Sequence, residues 1–315
     1  MRLVVTGAAG FIGSQYVRSL LNTDRGKGIT HITVVDSLTY AGNLANLAGV
    51  AQDPRYTFVQ SDICDSETMN DILNGNDAIV HFAAESHVDR SITGSAEFIR
   101  TNVLGTHTLL EASREQKIGR FVHVSTDEVY GSIESGSWPE THPLLPNSPY
   151  AASKASSDLL VRSFFRTHHL DTVTTRCSNN YGFFQFPEKL IPLFVTNLID
   201  GKKVPLYGSG TNVRDWLHVD DHCNGIHLAL TKGKSGEIYN ISSEYEFSVL
   251  DITKMIVKSV KGTDAFEDWV EYVPDRPFND SRYFIDSSKL RALGWKQKKD
   301  SDFLRQFIEN LAQTI

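Results

Sequence analysis

The chain has 315 residues and a formal net charge of −7, with charges of both signs mixed along its length. This length favours one large domain with a smaller lobe and a sizeable hydrophobic core. The charge excludes the basic stripe that nucleic-acid binding needs, and no apolar run is long enough to cross a bilayer. We therefore expect a cytoplasmic enzyme with neither a nucleic-acid nor a membrane partner.

Short apolar runs rich in Val and Ile alternate with amphipathic stretches of helical length in the first half of the chain. The runs cover residues 3–6, 32–36, 57–62, 78–84, 121–125 and 173–177, and the longest amphipathic stretches cover residues 98–115 and 151–168. Buried parallel strands have this continuous apolar character, with helices covering both faces of the sheet. The pattern predicts an α/β fold with a Rossmann-type doubly wound parallel sheet.

The alternation breaks after Ser178, where prolines and glycines interrupt shorter elements. We expect residues 1–178 to form the first domain and residues 179–315 to form mainly a smaller, interleaved substrate-binding lobe. Residues 218–231 and 238–241 again have the patterns of a helix and a strand. They predict that segments within about 212–241 return to the first domain.

The segment 6–13, Thr-Gly-Ala-Ala-Gly-Phe-Ile-Gly, follows the first predicted strand and opens a helix. In dinucleotide-binding folds, glycines at the positions of Gly7, Gly10 and Gly13 permit the turn, the approach of a pyrophosphate and close helix packing. Asp36 ends the next predicted strand, where a carboxylate accepts hydrogen bonds from ribose hydroxyls and repels a 2′-phosphate. The segment predicts an NAD-binding domain; a solvated loop acid is the alternative reading of Asp36.

Two further patterns concern the cofactor and the chemistry. Asp62 and Ile63 end the third predicted strand, where they would flank an adenine, although Asp62 could equally cap a helix. Tyr150 and Lys154 have the spacing that places two side chains on one helix face. An ammonium group beside the phenol, together with a nicotinamide ring, would lower the pKa of Tyr150. Tyr150 would then accept a proton from a substrate hydroxyl.

Five motifs resemble the dTDP-glucose 4,6-dehydratases of the extended short-chain dehydrogenase/reductase superfamily. They are the glycine segment 6–13, His-Phe-Ala-Ala-Glu-Ser-His-Val-Asp-Arg-Ser at 81–91, Ser-Thr-Asp-Glu-Val-Tyr-Gly at 125–131, Pro-Tyr-Ala-Ala-Ser-Lys at 149–154 and Arg-Cys-Ser-Asn-Asn-Tyr-Gly at 176–182. Matches at 187–192, 205–208 and 212–216 extend the resemblance into the second lobe. The acid pair Asp127 and Glu128 is its most specific part, since epimerases on this fold generally lack the pair.

The resemblance implies a reaction in which NAD takes a hydride from C4 of the sugar and returns it to C6. Tyr150 would remove the C4 hydroxyl proton, and Thr126 would hydrogen-bond the C4 oxygen. Glu128 would then remove the C5 proton, and a protonated Asp127 would donate to the departing C6 hydroxyl. The acids need opposite protonation states, which burial and repulsion can supply.

The resemblance also implies the binding residues. Further cofactor contacts fall at Phe11, Ile12, Leu38, Thr39, Ala83, Ala84, Ser86, Thr101 and Asn180. Substrate contacts fall at Ser86, Asn179, Lys189, Leu190, Pro205, Tyr207, Arg214, Arg276 and Asn279, in addition to Thr126. Guanidinium groups match a diphosphate, and Tyr207 offers a face to a pyrimidine. Pro205 and Tyr207 could instead simply anchor a loop.

One segment departs from the bacterial pattern. Many dTDP-glucose enzymes have Arg-Pro-Gly-His-Asp where this chain has Arg-Pro-Phe-Asn-Asp at 276–280, and the variant resembles the UDP-glucose 4,6-dehydratases of plants and large viruses. A single methyl group in a pocket is worth only about 1–3 kcal/mol. We expect dTDP-glucose as substrate, with UDP-glucose as the alternative.

Other possibilities follow from the same residues. A nucleotide-sugar epimerase or reductase would use Tyr150 and leave the acid pair structural, and a non-enzymatic NAD sensor would need neither. His218 and His222 have a zinc-like spacing without a third ligand, so we expect no metal. We expect His87 to anchor a loop. By resemblance we also expect a homodimer built on helices at 102–115 and 157–168.

Overall fold

A computed structural model describes residues 1–314 of the chain. The strands are β1 (Arg2–Thr6), β2 (His31–Asp36), β3 (Tyr56–Gln60), β4 (Ala78–His81), β5 (Arg120–Thr126), β6 (Thr172–Cys177), β7 (Asn179–Tyr181), β8 (Val204–Tyr207), β9 (Val213–His218), β10 (Ile238–Ile241), β11 (Glu246–Ser248) and β12 (Val270–Val273). The helices are α1 (Phe11–Asn22), α2 (Ser66–Leu73), α3 (Val88–Thr93), α4 (Ala96–Phe98), α5 (Thr106–Glu115), α6 (Pro149–His168), α7 (Leu190–Ile199), α8 (Val219–Lys232), α9 (Val249–Lys261), α10 (Ser288–Ala292) and α11 (Ser301–Thr314).

Seven parallel strands form the central sheet in the order β3-β2-β1-β4-β5-β6-β10. Leu3 and Val5 belong to the apolar cluster on one face of β1, and Val4 belongs to the cluster on the other. Side chains alternate across a strand, so both faces of the sheet must be covered by helices. The predicted Rossmann-type α/β fold is confirmed, because all six predicted strands are present in this sheet.

Two predicted strands are shorter than their apolar runs. The strand β3 ends at Gln60, and β4 ends at His81. Beyond β4 the backbone runs directly against the glycine segment, since a Cβ atom added to Gly7 would lie 2.5 Å from the nitrogen of Ala83. The residues that follow His81 therefore form a loop over the mouth of the sheet.

The predicted helix at 98–115 is interrupted. A wide π-helical segment, Ile99–Gly105, joins α4 to α5. In this segment the Asn102 side chain bonds both the N–H and the carbonyl of Glu85, and it also donates to the Ser153 hydroxyl at 2.8 Å. Such wide turns recur at functional sites. Here the turn lets a helical residue brace the loop after β4.

The C-terminal half contributes a second core and two small sheets. The three-stranded sheet has the order β11-β9-β7, and β8 pairs with β12 in the other. Residues from α7, α9 and α11 pack on these strands in one apolar cluster. The strand β10 lies beside β6 in the central sheet, so this part of the chain returns to the first domain. The division into lobes near residue 178 stays a prediction. Within residues 1–314, no helix is both long and apolar enough to cross a membrane.

Candidate active site

The glycine segment forms a tight turn between β1 and α1. Gly7 has a φ of +67°, and its amide donates to the carbonyl of Val35. A Cβ atom on Gly13 would lie 2.5 Å from the oxygen of Gly7. Gly10 caps α1 without a side-chain hydrogen bond, which leaves the first amides of the helix available. Free amides at the positive end of a helix are a site for phosphate groups.

Asp36 lies at the end of β2, facing the same turn. Its carboxylate accepts hydrogen bonds from the amides of Ala9 at 2.9 Å and Leu38 at 2.8 Å. Burial raises the pKa of Asp36, and these amides act in the opposite direction. Leu38 has a φ of 53°, which turns the chain back towards Asp36. The structure therefore places Asp36 in a fixed and buried position and not in a solvated loop.

A cavity of about 400 Å³ runs along the carboxyl ends of the strands. Its walls include Gly7, Gly10, Phe11, Ile12, Gly13, Asp36, Thr39, Asp62, Ile63, Ala83, Ala84, Ser86, Thr101, Tyr150, Lys154 and Asn180. These are all of the predicted cofactor residues except Leu38, which lies behind the wall in the turn after β2. A long cleft with a glycine turn at one end and a phenol at the other fits a dinucleotide.

Asp62 lies just beyond the end of β3. Its carboxylate accepts a hydrogen bond from the amide of Cys64 at 2.9 Å and pairs with Arg100 at 2.6 Å. The alternative reading of Asp62 as a helix cap is wrong, because Asp65 caps α2 through the amide of Thr68. Asp62 and Ile63 instead line the cavity.

The acid pair lies on a single 3₁₀ turn, Asp127–Tyr130, at the carboxyl end of β5. The Thr126 hydroxyl caps this turn by accepting from the amide of Glu128, and it donates to Asp127 at 3.2 Å. Asp127 is buried, and its Oδ2 atom finds no hydrogen-bond partner among residues 1–314. A buried, unpartnered carboxyl oxygen favours the protonated acid.

The two acids differ in what surrounds them. Burial raises the pKa of Asp127 well above its usual value, and the neighbouring charges of Glu128 and Asp215 raise it further. Burial also raises the pKa of Glu128, but Arg214 and Lys189 lower it. Glu128 lines the cavity along the strand ends and also a second cavity beside it, whereas Asp127 lines neither of the two cavities. The environments push the two protonation states apart, as a neighbouring acid and base require.

Tyr150 lies in the first turn of α6, where Ser148 caps the helix through the amide of Ala151. Burial raises the pKa of Tyr150 well above its usual value, the charge of Glu128 adds to this, and the Thr126 hydroxyl acts in the opposite direction. The prediction that Lys154 lowers the pKa of Tyr150 is wrong for the protein without NAD. The Lys154 ammonium instead donates to the Val124 carbonyl at 2.8 Å, and burial lowers its own pKa to about 8.

Sequence reasoning missed a buried polar network behind Lys154. Asp158 accepts a hydrogen bond from Arg176 at 2.8 Å and lies 3.3 Å from a ring nitrogen of His123. Its charge raises the pKa of Lys154 against the effect of burial. The sequence spacing could have predicted that Asp158 lies near Lys154, because Asp158 follows Lys154 by four residues and therefore shares its helix face.

A second cavity of about 480 Å³ joins the first at Glu128, Asn179 and Lys189. Its walls include Ser86, Asn179, Lys189, Leu190, Pro205, Tyr207, Arg214, Arg276 and Asn279. These are all of the predicted substrate residues except Thr126, which faces the first cavity. Two adjoining cavities that share an acidic residue can bring a sugar nucleotide to a dinucleotide.

Two arginines line the second cavity. The Arg276 guanidinium lies 5.3 Å from the centre of the Tyr207 ring and pairs with Asp89 at 2.6 Å. Arg214 lies over the ring of Tyr283, which the sequence analysis did not select. Only the fold shows that this ring supports a guanidinium.

Asn279 and Asp280 hold the same wall in place. The Asn279 side-chain oxygen accepts from Arg214 at 3.1 Å, and its amide nitrogen donates to Asp275 at 2.9 Å. Asp280 is buried and accepts from Tyr283 and from Asn147. Of the two residues that depart from the bacterial motif, Asn279 therefore helps to position Arg214.

The histidines fit structural roles. His218 caps α8 through the amide of Asp220, and His222 lies on that helix with Nδ1 2.9 Å from Asn180. His87 caps α3 through the amide of Arg90, a loop-anchoring position. The part of the chain that the structure describes contains no group of three potential metal ligands.

Known proteins resemble the chain over its whole length. A family model described as GDP-mannose 4,6 dehydratase matches residues 4–306. A dTDP-glucose 4,6-dehydratase of Streptomyces antibioticus is 55% identical over 321 residues, covering 100% of this chain and 91% of that protein. The chain belongs to the dTDP-glucose 4,6-dehydratase family. A member from Escherichia coli K12 is 46% identical, over 98% of this chain and 92% of its own length.

Solved structures agree with this membership. The dTDP-glucose 4,6-dehydratase DesIV of Streptomyces venezuelae, crystallised with NAD, has a TM-score of 0.96 and 54% identity over 100% of this chain and 98% of its own. The UDP-glucose 4-epimerase of Thermotoga maritima also covers 99% of the chain, but with 29% identity and a TM-score of 0.87. The dehydratase family thus shares far more of the sequence than an epimerase of the same fold.

The glycine turn yields a direct prediction. We expect Gly7→Ala to weaken NAD binding at least tenfold, because the new methyl group would strain a positive φ and push the backbone of Ala83. NAD titration calorimetry measures the loss. Gly49→Ala is the matched control, since a Cβ atom there meets nothing within 4 Å. Equal affinity in both variants would contradict the assignment of the turn.

Proposed function

We infer that this chain is an NAD-dependent hydro-lyase of deoxysugar biosynthesis, which converts dTDP-glucose to dTDP-4-keto-6-deoxy-glucose and water. The observation that carries this inference is the position of Asp127 and Glu128 on one turn beside Tyr150. An epimerase needs only the phenol. Burial raises the pKa of both acids, that of Asp127 well above its usual value, whereas Arg214 and Lys189 oppose the rise at Glu128. Such a difference supplies the acid and the base that an elimination needs in addition.

The first step is oxidation at C4. NAD, when bound, supplies the temporary acceptance of the C4 hydride and its later return to C6. Tyr150 accepts the proton of the C4 hydroxyl, and Thr126, whose hydroxyl also lowers the pKa of Tyr150, hydrogen-bonds the C4 oxygen. The Lys154 ammonium is anchored by the Val124 carbonyl and shares a helix face with Tyr150. Its charge and that of the nicotinamide ring, when NAD is bound, would together favour the phenolate against the effect of burial.

The second step is elimination of water across C5 and C6. The C4 carbonyl acidifies the C5 proton, and the Glu128 carboxylate removes it. Arg214 and Lys189 favour the ionised form of Glu128. The C6–O bond then breaks, and the leaving hydroxyl takes the proton of Asp127 and departs as water. When the hydride reaches C6, the protonated Glu128 returns its proton to C5, which completes the product. Burial of Asp127 supports this assignment because it keeps a proton available.

The remaining assignments concern binding. The free amides of α1 would hold the pyrophosphate of NAD, and Asp36 would accept from a ribose hydroxyl. Arg214 and Arg276 would bind the diphosphate of the substrate, because planar guanidinium groups match phosphate oxygens. Tyr207 is 38% exposed and offers a ring on which a thymine could stack.

Isotope transfer tests the reaction directly. With dTDP-glucose deuterated at C4, we expect the label in the new C6 methyl group of the product, because the hydride returns within one molecule. Mass spectrometry of the product measures it. A dehydrated product whose methyl group lacks deuterium would contradict the route.

Two matched variants test the acid pair. We expect Asp127→Asn and Glu128→Gln each to lower kcat by about 10²–10⁴-fold, the usual range for an acid or a base. Each should still reduce bound NAD when the substrate is added, which absorbance at the wavelength of NADH measures. Full dehydration by both variants would contradict the assignment, and Tyr150→Phe is the control in which NAD reduction is also lost.

The nucleotide preference follows from the departure at Asn279. We expect dTDP-glucose to be preferred over UDP-glucose by no more than about two hundredfold in kcat/KM, since one methyl group separates the two. Parallel assays with both substrates, repeated for Asn279→His, measure the preference and whether the residue that holds Arg214 controls it. A strong preference for UDP-glucose would overturn the choice of nucleotide.

We also propose a homodimer and a cytoplasmic location. All three cysteines are free thiols, as a reducing compartment keeps them. Of the apolar residues expected in the dimer, Leu109, Leu110 and Phe164 are buried within the chain, whereas Leu159 is 56% exposed. Leu104, on the π segment, is 51% exposed and also available.

Charged substitutions at the exposed leucines test the proposed dimer. We expect Leu104→Glu and Leu159→Glu together to give a monomer in light scattering, since a buried apolar contact would become a pair of unpaired charges. Leu145→Glu, at another exposed leucine, is the control. A variant that stays as large as the parent protein, or a parent that is already monomeric, would contradict the proposal.

A further inference from the structure

Asp215 is a buried carboxylate in β9 that the mechanism above does not use. It lies over the ends of three adjacent strands. Ser178 follows β6, Ser242 and Ser243 follow β10, and Asp127 follows β5, and these strands are neighbours in the central sheet. The strand register brings Asp215 and Asp127 together there. Thr126 pairs with Cys177 in the central sheet and Asn179 pairs with Trp216 in the small sheet, so Asp127 and Asp215 both lie beside the position of Ser178.

Four hydrogen bonds hold Asp215 in place. Ser242 donates its hydroxyl at 2.5 Å and Ser243 its amide at 2.9 Å to one carboxylate oxygen. The Ser243 hydroxyl and the Tyr245 amide, at 3.3 Å, donate to the other oxygen. An amide N–H can only donate, so both oxygens of Asp215 must accept. Burial raises the pKa of Asp215, and the hydrogen bonds from Ser242 and Ser243 act in the opposite direction. An oxygen that accepts from donors on every side fits a carboxylate better than a protonated acid.

The groups that face Asp127 come from four elements. Glu128 and Thr126 belong to its own turn, Tyr150 belongs to α6, Cys177 ends β6, and Asp215 and Arg214 belong to β9. Of these, Glu128 and Asp215 carry negative charge and Arg214 carries positive charge. Glu128 becomes neutral once it has taken the C5 proton, at the moment when Asp127 must still hold its own.

We propose that Asp215 is a positioning residue for the general acid: a fixed negative charge that keeps Asp127 protonated until the C6 hydroxyl leaves. The inference rests on the proposed dehydration. Glu128 cannot serve this purpose throughout the reaction because its charge disappears with proton transfer. Asp215 exchanges no proton with the substrate, and its hydrogen bonds stabilise its negative charge throughout the reaction.

The charge of Asp215 should appear in the pH dependence of kcat. A negative neighbour raises the pKa of a carboxylic acid, so its removal lets Asp127 ionise at lower pH. We expect Asp215→Asn to move the alkaline limb of the kcat profile down by about one pH unit, the low end of the usual effect of a nearby charge. The acidic limb, where Asp127 is protonated in either case, should be unchanged.

A substrate with fluorine in place of the C6 hydroxyl gives a second readout. Its C6–F bond breaks with the electron pair leaving on fluoride, so the elimination needs no proton from Asp127. We expect Asp215→Asn to turn over this analogue with the parent protein's pH profile. A merely structural role for Asp215 would instead impair dehydration and fluoride release alike.

Two further variants keep the test decisive. Ser242→Ala removes a donor and so makes Asp215 easier to protonate; we expect a shift in the same direction as that of Asp215→Asn, but smaller, even if Asp215→Asn itself fails to fold. Asp221→Asn is the matched control. Asp221 is also buried and accepts from the amides of Lys298 and Lys299, at a distance from the acid pair. It should leave the profile unchanged.

The outcomes separate the two proposals. A parent protein that produces no dehydrated sugar would contradict the proposed function itself. If the parent dehydrates dTDP-glucose, an unshifted alkaline limb in both Asp215→Asn and Ser242→Ala would overturn the role of Asp215. Equal losses with the fluorinated substrate and dTDP-glucose would also overturn it.

Discussion

Exclusion of water from the carboxyl edge of the central sheet is the constraint on which the site depends. In bulk water, neighbouring carboxyl groups would both be ionised at neutral pH. At this edge Asp127 and Tyr150 are buried, so the charged form of each is costly and nearby charges act strongly. The fold therefore supplies a dry surface on which the positions of a few charges decide which group carries a proton.

Those positions follow from the strand order. The catalytic side chains come from the turn after β5 and from the start of α6, and two charges that act on them come from β9. The first half of the chain thus contributes the acid pair and Tyr150, whereas β9 contributes Arg214 and Asp215. Arg214 lowers the pKa of both acids, whereas Asp215 raises the pKa of Asp127. Consecutive residues of one strand therefore act on Asp127 with opposite charge.

The sequence was sufficient for the features that local rules govern. The glycine turn, Asp36 and the six strands follow from periodicity and turn chemistry, and nearly all of the cofactor and substrate residues line the two cavities. It was not sufficient where the result depends on long-range packing. The sequence did not predict that burial raises the pKa of Tyr150 in the protein without NAD. That burial and the bond from Lys154 to Val124 depend on how α6 packs on β5. The roles of Asp158 and Asp215 likewise required strands that are distant in sequence.

The ion pair between Arg276 and Asp89 has a consequence for how an anion enters the second cavity. Asp89 belongs to α3 in the first half of the chain, and Arg276 comes from the last quarter, so the pair spans the cavity wall. A guanidinium that is already paired has given up much of its hydration. An incoming diphosphate therefore replaces the Asp89 carboxylate as the partner of Arg276. Most of the free-energy cost of dehydrating the guanidinium has then been met during folding. Selectivity among anions then rests on how well each competes with a built-in carboxylate.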